Sequence, residues 1–137
     1  MSLKCVQNEF NEDDFMKVAI IGSRNITNVD LSRFIPYGTV EIISGGAKGI
    51  DTVARDYAIE NKIKLTEFLP NYKLYGRGAP IKRNIEIIEN ADIVLAFWDG
   101  ISHGTKYVID NCKKRNIPVK VYLNGKNGIT EMAISDF

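Results

Sequence analysis

The stretch Ser44-Gly45-Gly46-Ala47-Lys48-Gly49-Ile50-Asp51 carries the residue types best suited to chemistry in this chain. Three glycines within five residues permit positive φ and leave no Cβ between the peptide N–H groups and an approaching group. The apolar run from Val40 to Ile43 precedes the stretch. Ile50, Val53, Ala54, Tyr57 and Ala58 follow it at the spacing of a buried helical stripe. It therefore reads as a strand-to-helix turn at the positive end of a helix dipole, and the chemistry it suits is holding an anion such as phosphate. Gly22-Ser23-Arg24 is a second candidate, because a guanidinium fork beside a strand end matches phosphate bidentately. Ser102-His103-Gly104-Thr105 is a third, with small residues, hydroxyls and a glycine at the start of a helix. Arg83 and Asn84 stand in the opening turn of another helix, where basic groups oppose the dipole and a nearby anion would give them a reason.

Each candidate has a plainer reading. Glycine turns often serve only close packing of strand on helix, Arg24 could be a solvated surface cation, and Asp51 could simply complement its helix dipole. If Asp51 is functional, it should avoid phosphate oxygens and accept from a ribose hydroxyl or base amino group; it is also the candidate should there be a catalytic carboxylate. His103 is the only histidine and has no nucleophile at a strained elbow, so a Ser-His-Asp system is not supported. Tyr72, Tyr75 and Trp98 suit stacking or a lid, with loop anchoring as the alternative. Neither Cys5 nor Cys112 has metal-ligand spacing, and nothing calls for a metal or a cofactor.

Apolar runs at Val18–Ile21, Val40–Ile43, 64–69, 92–97 and 118–123 have the length and β-branched content of strands covered on both faces. Helical spacing separates them: Ile81, Ile85 and Ile88 after Pro80, and Thr105, Val108, Ile109 and Cys112 after the third turn. A shorter helix with Leu31, Phe34 and Ile35 precedes Pro36. This alternation predicts an α/β fold: a Rossmann-like open parallel sheet of about five strands with helices on both faces. In such a sheet ligands gather beyond the carboxyl ends of the strands, which is where all three turns lie. Residues 1–16 read as a leader, 17–123 as the domain, and 124–137 as a peripheral tail.

The 137 residues carry 18 basic and 17 acidic side chains, a formal charge of +1. That excludes a bulk field for nucleic acid or an acidic membrane, though local basic clusters can still act. The hydrophobic fraction of 45% suits a packed soluble domain, and no apolar run is long enough to span a bilayer. With two cysteines and no signal-peptide pattern, the expected setting is the cytoplasm.

Taken together, Gly22-Ser23-Arg24, Ser44 to Asp51, the Tyr75-Gly76 to Arg83-Asn84 segment and Ser102-x-Gly104-Thr105 resemble the SLOG superfamily. The name joins the Smf/DprA and Lonely-guy proteins, and the likeness is strongest to its small bacterial and phage YspA-like branch. It spans about residues 17–123. The resemblance implies a Rossmann-like fold and a nucleotide-like small molecule as partner, the protein serving as a sensor or nucleotide-processing protein. Arg24, Gly45, Gly46, Asp51, Arg83, Asn84, Ser102, Gly104 and Thr105 are the matching site positions. Gly22, Ser23, Ser44, Ala47, Gly49 and Trp98 complete the expected ligand-binding set. Lonely-guy enzymes hydrolyse the N-glycosidic bond of nucleoside monophosphates with a glutamate three residues after the threonine; Val108 stands there in this chain, so Asp51 or Asp99 would have to substitute. DprA-like relatives bind single-stranded DNA, a partner that the +1 charge argues against here. Related folds often pair, which leaves a homo-oligomer open.

Overall fold

A computed structural model describes residues 15–133. Most of the 1–16 leader, including Cys5, and the end of the 124–137 tail lie outside the described residues. The strands are β1 (Met16–Gly22), β2 (Thr39–Ser44), β3 (Lys64–Glu67), β4 (Ile93–Trp98), β5 (Val119–Gly125) and β6 (Gly128–Met132). The helices are α1 (Ile50–Glu60), the single turn α2 (Tyr72–Tyr75), α3 (Ala79–Glu89) and α4 (His103–Lys114).

The strands form one sheet in the order β3-β2-β1-β4-β5-β6. The first five pair in parallel, with Val18 opposite Ile42 on one side and Ile93 on the other. Parallel neighbours require crossovers, and alternate residues of each strand bury against helices on opposite faces. On one face Val18, Ile20, Ile42, Leu95 and Phe97 meet Ile50, Ala54 and Ala58 of α1. On the other, Ala19, Ile21, Ile43, Val94 and Ala96 meet Ile87 and Ile88 of α3 and Val108, Ile109 and Cys112 of α4. The sheet is thus covered on both sides, as a Rossmann-like fold requires.

Three elements differ from the sequence reading. The segment after Asn124 supplies β6, antiparallel to β5 with Val121 opposite Met132 and Gly125 opposite Gly128. The short helix near Leu31 is a 3-10 turn, Leu31–Arg33, whose cap Asp30 accepts from the Ser32 N–H at 3.2 Å. Phe34 still packs inward, edge-on to Phe97 at 5.4 Å. In α3 the buried face is rotated: Ile81 is 49% exposed, while Arg83 and Ile87 are buried. The cause is a polar contact, because the Arg83 guanidinium reaches inward to the Gly45 carbonyl at 2.7 Å.

The chain leaves β1 toward β2 on one side and returns through β4 on the other. This reversal opens a crevice beyond Gly22 and Trp98, at the carboxyl ends of β1 and β4.

Candidate functional site

A cleft of about 520 Å³ occupies this crevice. Its size is within the range of small-molecule sites. Its floor is apolar, from Ile21, Ile87 and Val108. Gly22, Ser23, Arg24, Gly45, Asp51, Asn84, Ser102, Gly104 and Thr105 form its walls, so the structure brings together segments more than seventy residues apart. Ser44, Gly46, Ala47, Gly49, Arg83 and Trp98 do not line it.

These remaining residues support the walls. The Trp98 indole donates to the Ser102 carbonyl at 3.0 Å. Arg83 donates through Nη1 to the Gly45 carbonyl and through Nε to the Asn84 side chain at 2.8 Å. Its charge opposing the dipole of α3 therefore has protein acceptors. Gly49, at φ +75, lies so close to the Arg24 backbone that a Cβ would overlap the Arg24 carbonyl. That contact locks the first two turns together. Gly46, at φ +68, faces Leu69 and Glu67 outside the cleft.

Asp51 and Asp99 bring two carboxylates to the same cleft, and their surroundings act in opposite directions. Asp51 is 9% exposed, and burial raises its pKa against the Ala47 N–H, Arg83 and Ser44, which favour the charged form. The Ala47 N–H donates to Oδ2 at 3.1 Å. Burial also pushes Asp99 up, but donors from Ser102, Ile101 and Ser23 outweigh it and hold the carboxyl at about 2. Asp99 Oδ1 accepts from the Ile101 and Ser102 N–H groups at 2.9 and 2.7 Å, and Oδ2 from the Ser102 hydroxyl at 2.7 Å.

That last bond shapes the helix start. Ser102 is the N-cap of α4, yet its hydroxyl makes no capping bond to the helix. The first-turn amides of His103, Gly104 and Thr105 are left for solvent or a visitor. A Cβ on Gly104 would meet no atom within 4 Å. Exposed Arg24 lines the same cleft.

Asn25, Pro80, Asp99 and His103 also line the cleft and were absent from the sequence-based ligand set. Asp99 carried a readable signal: an aspartate just past a strand, with Gly100 and Ser102 behind it, is a turn former that bonds the backbone two residues on. Among the described residues no cluster could hold a metal ion, and no helix is long and apolar enough to cross a membrane. Cys112 is buried, and burial raises its thiol to about 11.

A family model described as DNA recombination-mediator protein A matches residues 7–94. The match takes in β1, the glycine turn, Arg83 and Asn84, and ends before Ser102. The chain is also similar to the Gene 61 protein of Mycobacterium phage D29, at 34% identity over 90 residues, covering 61% of this chain and 71% of that protein. No solved structure matches. These likenesses agree with the DprA side of the SLOG resemblance carried by the turn motifs, and the chain belongs to the DNA recombination-mediator protein A family.

Proposed function

We propose that the cleft binds a nucleotide or nucleotide-derived small ligand, its phosphate between Arg24 and the first turn of α4 and its sugar toward Asp51. The observation that carries this reading is the uncapped start of α4, open at Gly104 and sharing a cleft with Arg24. Uncapped amides and a guanidinium favour an anion. Asp51 would repel phosphate, and its position suits a hydroxyl donor instead.

Binding is favoured over hydrolysis of the N-glycosidic bond. Val108 is buried where Lonely-guy enzymes carry glutamate, and Asp99, held at about 2, is a weak proton acceptor. Asp51 is the carboxylate left for that alternative. Calorimetry with nucleoside monophosphates tests the main reading. Arg24→Ala should lose one charged hydrogen-bond pair, roughly a 10- to 150-fold loss of affinity. Unchanged affinity would sink the shared cleft. Release of free base on incubation would instead support the hydrolase.

Single-stranded DNA is a second reading, favoured by membership of a DNA recombination-mediator family and by one surface feature. From Leu69 to Asn84 the chain has exposed Lys73, Arg77 and Lys82 with no acidic residue, and Tyr72 and Tyr75 are exposed among them. Basic and aromatic groups side by side suit a single strand. A gel shift that weakens steeply with salt would support this reading.

A further inference from the structure

Among the described residues lining the cleft the one aromatic ring is the His103 imidazole, at the start of α4 where the phosphate is placed, and there is no Phe, Tyr or Trp. Glycine, hydroxyl, amide and charged groups suit a phosphate and a sugar, whereas a base is held best by a flat ring face. Trp98, beside Asp99, has its indole N–H bound to the Ser102 carbonyl. Tyr72 and Tyr75 are exposed on the connection from β3 to α3, which leaves from the carboxyl edge of the sheet.

Every residue from Asn71 to Gly78 is exposed. The single turn α2 is held by its own cap, Asn71 Oδ1 accepting from the Leu74 N–H at 3.1 Å. Gly76 has φ +55 and begins a 3-10 turn, Gly76–Gly78, that leads into α3, and a Cβ on Gly76 or Gly78 would meet nothing within 4 Å, so the outer side of the segment is open. Tyr75 is tied to α3, with Lys82 Nζ 5.8 Å from its ring centroid. Tyr72 is 58% exposed and is an electrostatic neighbour of Arg83, the residue that grips the Gly45 carbonyl behind the cleft wall. Pro80 and Asn84 of the same helix line the cleft itself.

We propose that Asn71–Gly78 is a strap that lays the Tyr72 ring on the base of a nucleotide whose phosphate and sugar occupy the cleft. The proposal rests on the nucleotide reading and deepens it by naming the residue that recognises the base. Tyr75, tied to Lys82, anchors the far end of the strap. Tyr72 acts through its ring face, so its hydroxyl is dispensable.

The test is calorimetric titration of the full chain with the adenine, guanine, cytosine and uracil nucleoside monophosphates and, separately, with ribose 5-phosphate, which has no base. Tyr72→Ala should weaken binding of the nucleotides roughly 5- to 150-fold, the range for losing one stacked base. It should leave ribose 5-phosphate binding unchanged, and Tyr72→Phe should restore wild-type affinity. Equal nucleotide affinity for wild type and Tyr72→Ala, or an equal loss for nucleotides and ribose 5-phosphate, would overturn the strap and leave the cleft reading standing. A wild-type protein that binds none of these ligands would overturn both. An unchanged circular-dichroism melt for Tyr72→Ala, expected for so exposed a side chain, separates lost contact from lost fold.

Discussion

The turn from Ser44 to Asp51 and the turn from Trp98 to Thr105 do the same topological work on two walls of one cleft, yet their glycines answer to different needs. In the first, Gly45 is packed against Arg83 and Asp51, Gly46 against Leu69, and Gly49 against the Arg24 backbone. Every one of these hydrogens faces protein. In the second, Gly100 makes a left-handed bend at φ +83, and Gly104 faces open space. Density of glycine in a sequence therefore marks close packing as readily as ligand approach. The plainer turn is the one left open.

The largest expected effect tests the packed side of this contrast. Gly49→Ala would place a Cβ on the Arg24 carbonyl at a sparsely populated backbone conformation, φ +75 and ψ −127, that costs an L residue ~1–3 kcal/mol, with overpacking adding ~1–3. A loss of roughly 3 kcal/mol or more should appear as a lower urea midpoint. An unchanged midpoint would mean that the Ser44–Asp51 turn is not locked to the Gly22–Arg24 turn. Next in size is Arg83→Met. It removes the buried donor to Gly45 and Asn84 and a positive neighbour of Asp51, and should cost roughly 2–4 kcal/mol. Arg83→Lys should recover only part of this, because an ammonium cannot serve two acceptors with one planar fork.

The Arg83 result also shows where sequence reasoning stops. Continuous apolar runs such as Val18–Ile21 reveal central strands because both faces are buried, and helical spacing places α1 and α4 well. The same reasoning located the cleft, since turns after parallel strands must share one edge. What it could not show was direction. A basic residue at the start of α3 looked outward to an anion, whereas a carbonyl 38 residues earlier in the chain draws it inward. Strand β6 escaped for a different reason: at an edge, with Ile129 and Met132 half-buried and Thr130 and Glu131 exposed, it has almost no apolar run to read. The contact that decided the first case is long-range, whereas β6 pairs locally with β5, Gly125 opposite Gly128.

The two cleft carboxylates offer a smaller and pH-dependent test. Asp99 has its pKa lowered from 3.8 to about 2, so it contributes stability that is fully present above about pH 3.8 and lost as the pH falls through about 2. Screening by solvent limits this contribution to about 1 kcal/mol. Asp51 has its pKa raised, so its ionisation opposes folding above the raised value and the opposition is relieved as the pH falls. Urea melts in acid should therefore show Asp99→Asn flattening the loss of stability and Asp51→Asn steepening it. Parallel curves for the two variants would contradict the opposed environments that the hydrogen bonds describe.

The smallest effect on stability is the most telling, because it adds the same methyl group that Gly49 rejects. Gly104 is the second residue of α4 and its Cβ direction is empty, so Gly104→Ala should follow helix propensity alone and stabilise by ~0.5–1 kcal/mol. Gly104→Leu should also fold, since the larger side chain projects into the cleft rather than into packed atoms. If that cleft holds an anion against the first turn of α4, the leucine occupies the anion's place, and nucleoside monophosphate binding should vanish from a protein that melts no lower than the wild type. A destabilised Gly104→Ala would show that the second turn is packed like the first, and would remove the contrast between the two walls.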